Sequence, residues 1–227
     1  MIKFENVEVM NFDGAFRGMR NPLNSWDKSD SYYCHELDNC NDCAFINKNC
    51  SETNYILGHN DLDLAQRLIK AGSDHRKFLR QIFVSVDITA PRYWWKEFDT
   101  YKVATVANSC STMHTVHKRD FTREDFSYEH LLTSHGKIGG PLDTLDRVIG
   151  DLNYWRGRFI ETKDNRYWWQ IIQLLPTSYN QRRTITLNYE TLRNIYGSRR
   201  NHKLDEWSVG FMEWIDSLPY AEELIKI

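Results

Sequence analysis

Between Ile82 and Thr89 the chain alternates, with Ile82, Val84, Val86 and Ile88 apolar against Ser85, Asp87 and Thr89 polar. Period two marks a strand with one buried face. Ala90-Pro91 then stops it, because proline has no N–H to give a ladder. After the proline come an aromatic, charged segment and a run of short hydrogen-bonding residues, Thr105, Asn108, Ser109, Ser111 and Thr112. Short hydroxyl and amide side chains beside free backbone N–H groups can surround a phosphate or a ring edge. The same residues also form turns by bonding their own backbone.

The 227 residues suffice for a core without disulfides and are read as one domain, with a cysteine-containing insertion at about 24–60 and a surface excursion at about 115–140. A net charge of -2 argues against a broad nucleic-acid interface. No apolar run reaches the roughly twenty residues that span a bilayer, and the amino terminus lacks a signal-peptide pattern, so a cytosolic protein, of a cell or of viral (phage) origin, is expected. The aromatic share of 14% can fill a core, build a subunit interface or stack on a planar ligand.

Ile2 to Phe12 reads as a strand with a bulge near Glu5 and Asn6, and Gly14 to Ser31 as a loop or short helix carrying Arg17 and Arg20. Leu62, Ala65, Leu68 and Ile69 predict a helix over 61–71 capped by Asn60 or Asp61. Two more helices are predicted around Leu142–Trp155 and Trp168–Leu175. A short strand is predicted at 184–187, then a helix capped by Asn188 and ended by Gly197. Leu204, Trp207, Phe211, Trp214 and Ile215 mark a final amphipathic helix before Pro219. This mixture points to an α+β fold.

Cys34, Cys40, Cys43 and Cys50 form C-x5-C-x2-C-x6-C. The C-x2-C pair has the geometry of a zinc knuckle while the outer spacings are irregular, so a structural zinc site and a polar loop with free thiols both stay open. In the segment 188–203, Asn188, Asn194 and Arg199 can line one cavity. Arg199, Arg200, His202 and Lys203 gather positive charge where an anion could be clamped or where a helix end is merely offset. No Walker or G-x-G-x-x-G pattern and no serine–histidine–aspartate arrangement is found.

Taken together these segments resemble the flavin-dependent thymidylate synthases, which methylate dUMP using FAD and methylenetetrahydrofolate. The resemblance covers roughly Asp61–Ala90, Thr100–His114 and Pro176–Leu218. The family signature RHR-x-x-S-x-N-E-x-S-x-R-Y falls on Thr100–His114 with one extra residue near Ala107. Asn108 and Ser111 fit it, and Lys102 and Thr105 are conservative replacements. Asn188, Leu192, Asn194 and Arg199 follow the family's order for a segment touching flavin and nucleotide. The resemblance implies that the two asparagines face FAD and the arginine faces dUMP, in sites built between subunits of a homotetramer.

The departures fall at the cations. The RHR triplet is Thr100-Tyr101-Lys102, Ser109 stands for the glutamate, and Met113-His114 replaces the Arg-Tyr pair. Each lost charge-assisted phosphate contact costs about 1.5–3 kcal/mol unless another cation replaces it, and Arg17, Arg20, Arg92 and Lys96 are the candidates. The expected protein therefore binds FAD, a pyrimidine nucleotide, or both, through Lys102, Asn108, Ser109, Ser111, Asn188, Asn194 and Arg199. Either it transfers a one-carbon unit, or it keeps the pocket as a non-catalytic or sequestering nucleotide binder.

Overall fold

The alternating stretch becomes a strand, Phe83–Pro91, on which Val84, Val86, Ile88 and Ala90 are fully buried, as is Ile82 just before it. The computed structural model describes residues 2–34, 54–133 and 139–227. In chain order the strands are β1 (Lys3–Met10), β2 (Tyr32–Tyr33), β3 (Tyr55–Ile56), β4 (Phe83–Pro91), β5 (Val106–Ser109) and β6 (Asn180–Asn188). The helices are α1 (Phe12–Met19), α2 (His59–Ala71), α3 (Arg92–Phe98), α4 (Thr112–Thr115), α5 (Pro141–Thr162), α6 (Asn165–Leu174), α7 (Tyr189–Arg199), α8 (Met212–Ser217) and α9 (Ala221–Leu224). A four-stranded antiparallel sheet has the order β1-β4-β6-β5, and β2 pairs with β3, so the α+β class is the observed one.

The polar face of β4 is also used. Asp87 accepts from Asn6 Nδ2 at 2.8 Å and from Thr184 Oγ1, tying its neighbours β1 and β6 to it. Asn6 sits in the left-handed region with φ 51°, which is why the alternation of β1 breaks there.

By contact density the chain divides into two compact units. One comprises Met1–Lys3, Ile88–Thr100 and Asn108–Arg183; the other comprises Phe4–Asp87, Tyr101–Ala107 and Thr184–Ile227. In the first, α3 follows Pro91 directly and buries Trp94, Trp95 and Phe98. Helices α5 and α6 pack as a pair across the left-handed Lys163. Leu145, Leu152 and Ile171 from this pair share a core with Val116, Phe121 and Phe126. The stretch expected to run over the surface at 115–140 thus puts three side chains inside; polar residues between them hid the apolar spacing.

In the second unit, the segment read as loop or short helix forms α1, which buries Phe12, Ala15, Phe16 and Met19. Helix α2 is not capped by its own Asn60 or Asp61. Asp30 caps it from outside, accepting from the N–H groups of Asn60 (2.9 Å) and Asp61 (3.1 Å). Gly58 makes that approach possible, since a Cβ there would lie 2.2 Å from Asp30 Oδ1 and 2.5 Å from its backbone carbon. Helix α7 runs through Gly197 to Arg199 instead of ending at the glycine. The last amphipathic segment is a π-helical turn, Glu206–Phe211, leading into α8.

Asp61 itself is fully buried and ties three segments together. It accepts from Arg20 Nε (2.6 Å), Ser29 Oγ (2.7 Å), Ser31 Oγ (2.6 Å) and the Ser31 N–H (3.1 Å). Burial pushes its carboxyl up, but the hydrogen bonds from Ser31, Ser29 and Arg20, with the guanidinium's charge, outweigh burial and hold it below the usual carboxylate range. Removing one partner of a buried ion pair costs about 3–5 kcal/mol, so Arg20→Met is expected to lower stability by that much in urea unfolding. The sign of the pH effect follows from the lowered value. The contribution of Asp61 is complete above the ordinary aspartate pKa and is lost as pH falls through the lower folded-state value. Urea midpoints measured down the acid range should fall less steeply in Asp61→Asn than in the parent protein.

Candidate functional site

In the first unit, β5 delivers Asn108 and Ser109 as exposed residues, and the chain then turns at Cys110. Cys110 is fixed on both sides: its N–H donates to the Arg182 carbonyl (2.9 Å), and its carbonyl accepts from Gln181 Nε2 (2.8 Å). Ser111 caps α4, its Oγ accepting from the His114 N–H at 3.3 Å. Beside this turn lies a cavity of about 540 Å³, bordered by Cys110, Thr112, Lys118, Tyr179, Gln181 and Arg182.

The charges around the cavity do not all cancel. Arg119 is held bidentately by Asp125, and Asp120 accepts from Arg156 Nη1 at 2.5 Å. Lys118 makes no ion pair among the described residues, and Arg182 and Glu124 also border the cavity. Burial, then the nearby Asp125 carboxylate, pushes the Tyr179 phenol up, which keeps it a hydrogen-bond donor at neutral pH.

The strand that carries Arg182 is held from α3. Trp95 Nε1 donates to the Gln181 carbonyl (2.8 Å), and the Arg183 guanidinium sits 4.2 Å over the Trp95 ring while donating to Asp99 (2.7 Å). Trp95 and Arg183 are therefore structural, and Arg182 between them borders the cavity.

In the second unit, the turn at 101–107 lies along α7. Tyr101 accepts from Arg199 Nε at 2.9 Å, and the Val103 carbonyl accepts from Thr191 Oγ1 at 3.4 Å. Lys102, between these two anchors, is exposed. Arg199 also lies over two rings, 5.6 Å from the Tyr101 centroid and 5.2 Å from that of Trp207. Asn194 is exposed on α7.

Asn188 has a different role. Its Oδ1 accepts from the Thr191 N–H (2.9 Å) and hydroxyl (3.1 Å), and its Nδ2 donates to the Arg80 carbonyl (3.3 Å). Both ends of this buried amide are engaged, so it caps α7 and anchors the turn Lys77–Gln81 that precedes β4.

Lys102, Asn188, Asn194 and Arg199 thus fall in one unit, and Asn108, Ser109 and Ser111 in the other. Of the replacement cations suggested by sequence, Arg17 pairs with Asp13 and Arg20 with Asp61, while Arg92 and Lys96 are exposed on α3. Lys118 and Arg182 were not singled out by sequence. The four polar residues Asn180–Arg183 carry no alternation, so no sequence signal showed that β6 starts at Asn180 and includes Arg182. Of the four-cysteine set, Cys40, Cys43 and Cys50 lie outside the described residues. Cys34 is half-buried, and no metal-holding group is present among the described residues.

No family model and no curated protein matches the sequence. Solved structures do match. Thymidylate synthase X from Helicobacter pylori, with FAD and dUMP, aligns over 100% of this chain and 98% of its own with a TM-score of 0.68 and 15% identity. A second structure of the flavin-dependent enzyme from that organism, complexed with FAD and dUMP, covers 98% of both chains at a TM-score of 0.65 and 16% identity. A UMP/dUMP methylase, PolB from Streptomyces cacaoi, bound with 5-Br UMP, covers 74% of this chain and 82% of its own at 0.53 and 16%. The fold is that of the flavin-dependent thymidylate synthases.

Replacing Asn188 by alanine removes the cap and leaves the Thr191 N–H and the Arg80 carbonyl without those bonds. A loss of about 1–2 kcal/mol is expected in chemical denaturation, with Asn188→Asp losing less than the alanine variant.

Proposed function

We propose that the protein binds a pyrimidine nucleotide and FAD. The nucleotide reading rests on the cavity beside Cys110, in a chain whose fold matches, end to end, structures that hold FAD and dUMP. That cavity borders the loop on which the family signature falls. Lys118 and Arg182 supply positive charge there in place of the cations missing from the signature, as partners for phosphate. Thr112 and Asn180, on the cavity's border, offer short polar groups for ribose or a base edge; Asn108, Ser109 and Ser111, assigned to the ligand by the resemblance, adjoin the border in the chain without lining it.

Lys102, Asn194 and Arg199 are the groups of the second unit assigned to FAD or nucleotide, Arg199 as the partner for phosphate through the guanidinium nitrogens that Tyr101 does not take. They suit FAD in kind, being polar or cationic groups on a helix and its adjoining turn, Lys102 and Asn194 exposed and Arg199 half-buried. Asn188 suits it less, because its amide is already engaged at both ends. Bound FAD would supply hydride chemistry; the chain's own residues bind and orient. A homotetramer is part of this reading, and exposed Leu23, Tyr154 and Trp169 are apolar surface available to subunit contacts. So is a cytosolic location; among the described residues no helix is long and apolar enough to cross a membrane.

One observation favours a non-catalytic binder over a one-carbon transferase: Tyr101, at the middle of the former RHR triplet, is engaged with Arg199. Both versions require binding, and thymidylate formation from dUMP with FAD and methylenetetrahydrofolate separates them.

Calorimetric titration with dUMP should show saturable binding that weakens at least tenfold in Arg182→Met, and added FAD should remain with the protein on gel filtration. Failure to bind dUMP and FAD alike would overturn the reading.

A further inference from the structure

A second pocket, in the unit comprising Phe4–Asp87, Tyr101–Ala107 and Thr184–Ile227, gathers cations and shares no lining residue with the cavity beside Cys110. It has a volume of about 400 Å³; Arg76, Arg193, Arg200 and Lys226 border it, with Tyr196, Gly197 and Asn194, the last a residue assigned above to FAD. Arg193, Tyr196 and Gly197 on α7 and Arg200, the residue that caps its end in helical conformation, stand at i, i+3, i+4 and i+7, so they share one face. Arg199, one residue from Arg200, points instead to Tyr101 and Trp207.

Two of the four cations are already neutralised. Arg76 Nε donates to both oxygens of Glu190 (3.1 and 2.9 Å), and Lys226 Nζ reaches Asp216 (2.9 Å) and Glu222 (2.5 Å). The other two are not. Arg193 Nη1 donates to the Ile225 carbonyl at 2.8 Å, and Arg200 lies 5.8 Å from the Tyr196 ring centroid; neither has a carboxylate partner among the described residues. Burial, then repulsion from Arg76, holds the Arg193 guanidinium below its ordinary value, against the opposing pull of the Glu190 carboxylate.

Gly197 adds an independent observation. A Cβ there would meet nothing within 4 Å, so packing does not demand a glycine, yet glycine inside a helix costs about 0.5–1 kcal/mol relative to alanine. Its missing side chain leaves the pocket wall open between Arg193 and Arg200.

The geometry points to a binding site for a phosphate-class oxyanion in this pocket, held by the guanidinium forks of Arg193 and Arg200. Planar guanidinium groups match phosphate oxygens in pairs, and the two neutralised cations raise the local potential only modestly, which suits a small anion over a nucleic-acid backbone. The pocket shares no lining residue with the cavity beside Cys110, and although Asn194 borders it, the guanidinium pair does not require that FAD binds.

Inorganic pyrophosphate is the probe, titrated calorimetrically into the full chain at low ionic strength. Saturable binding is expected, weakened at least tenfold in Arg193→Met and in Arg200→Met. Arg200 is exposed, so its variant should fold as the parent does, which circular dichroism checks. Lys118→Met serves as the comparison at the other cavity; whatever it does there bears on the nucleotide reading alone. Absence of saturable binding to the parent protein, or parental affinity in a folded Arg200→Met variant, would overturn the proposal.

Discussion

The burial of one face of β4 is the constraint on which the remaining elements depend. Ile82, Val84, Val86, Ile88 and Ala90 have no exposed surface, and each such side chain contributes about 1.5–3 kcal/mol when removed from water, alanine less. The sheet order β1-β4-β6-β5 places β4 inside it, with Asp87 bonded to Asn6 and Thr184 on the opposite face. A slip of one residue would exchange these faces, burying Asp87 and exposing Val86. Pro91 closes the strand and α3 starts at the next residue, so the position of Trp95 follows from where β4 stops. Trp95 in turn holds the Gln181 carbonyl and the Arg183 guanidinium, and so the strand register that brings Arg182 to the cavity.

What local periodicity dictates was legible in the sequence. β4, the helix pair at 141–174 and the capping of α7 by Asn188 follow from spacing of two or 3.6 and from one side-chain preference. Long-range polar contacts were not legible. Asn60 or Asp61 was read as the cap, whereas the cap is Asp30, 31 residues before Asp61, and Asp61 is the buried acceptor for Arg20, Ser29 and Ser31. Gly197 was read as a stop, but nothing in the helix prevents continuation to Arg199 beyond the modest cost of glycine. Phe121 and Phe126 escaped notice because single aromatics between polar residues carry no period, although both are buried.

The site was legible in part, for a similar reason. The signature alignment led to the loop beside the cavity, yet the cations bordering that cavity, Lys118 and Arg182, come from segments with no signature of their own. Charge that recognises phosphate need only arrive within hydrogen-bonding reach, from any element. Loss of the RHR and Arg-Tyr cations therefore says less about binding than it does about chemistry. Tyr101 illustrates this: where a cation or imidazole stood in the signature, a phenol now positions Arg199 over Trp207.

Hydrogen–deuterium exchange with and without dUMP tests the central claim most directly, because it reports where the ligand acts as well as whether it binds. The account predicts slowed exchange at residues 109–118 and 180–183 on adding the nucleotide, with the α5–α6 pair unchanged. Identical exchange in both states, or protection confined to segments remote from the cavity, would contradict it.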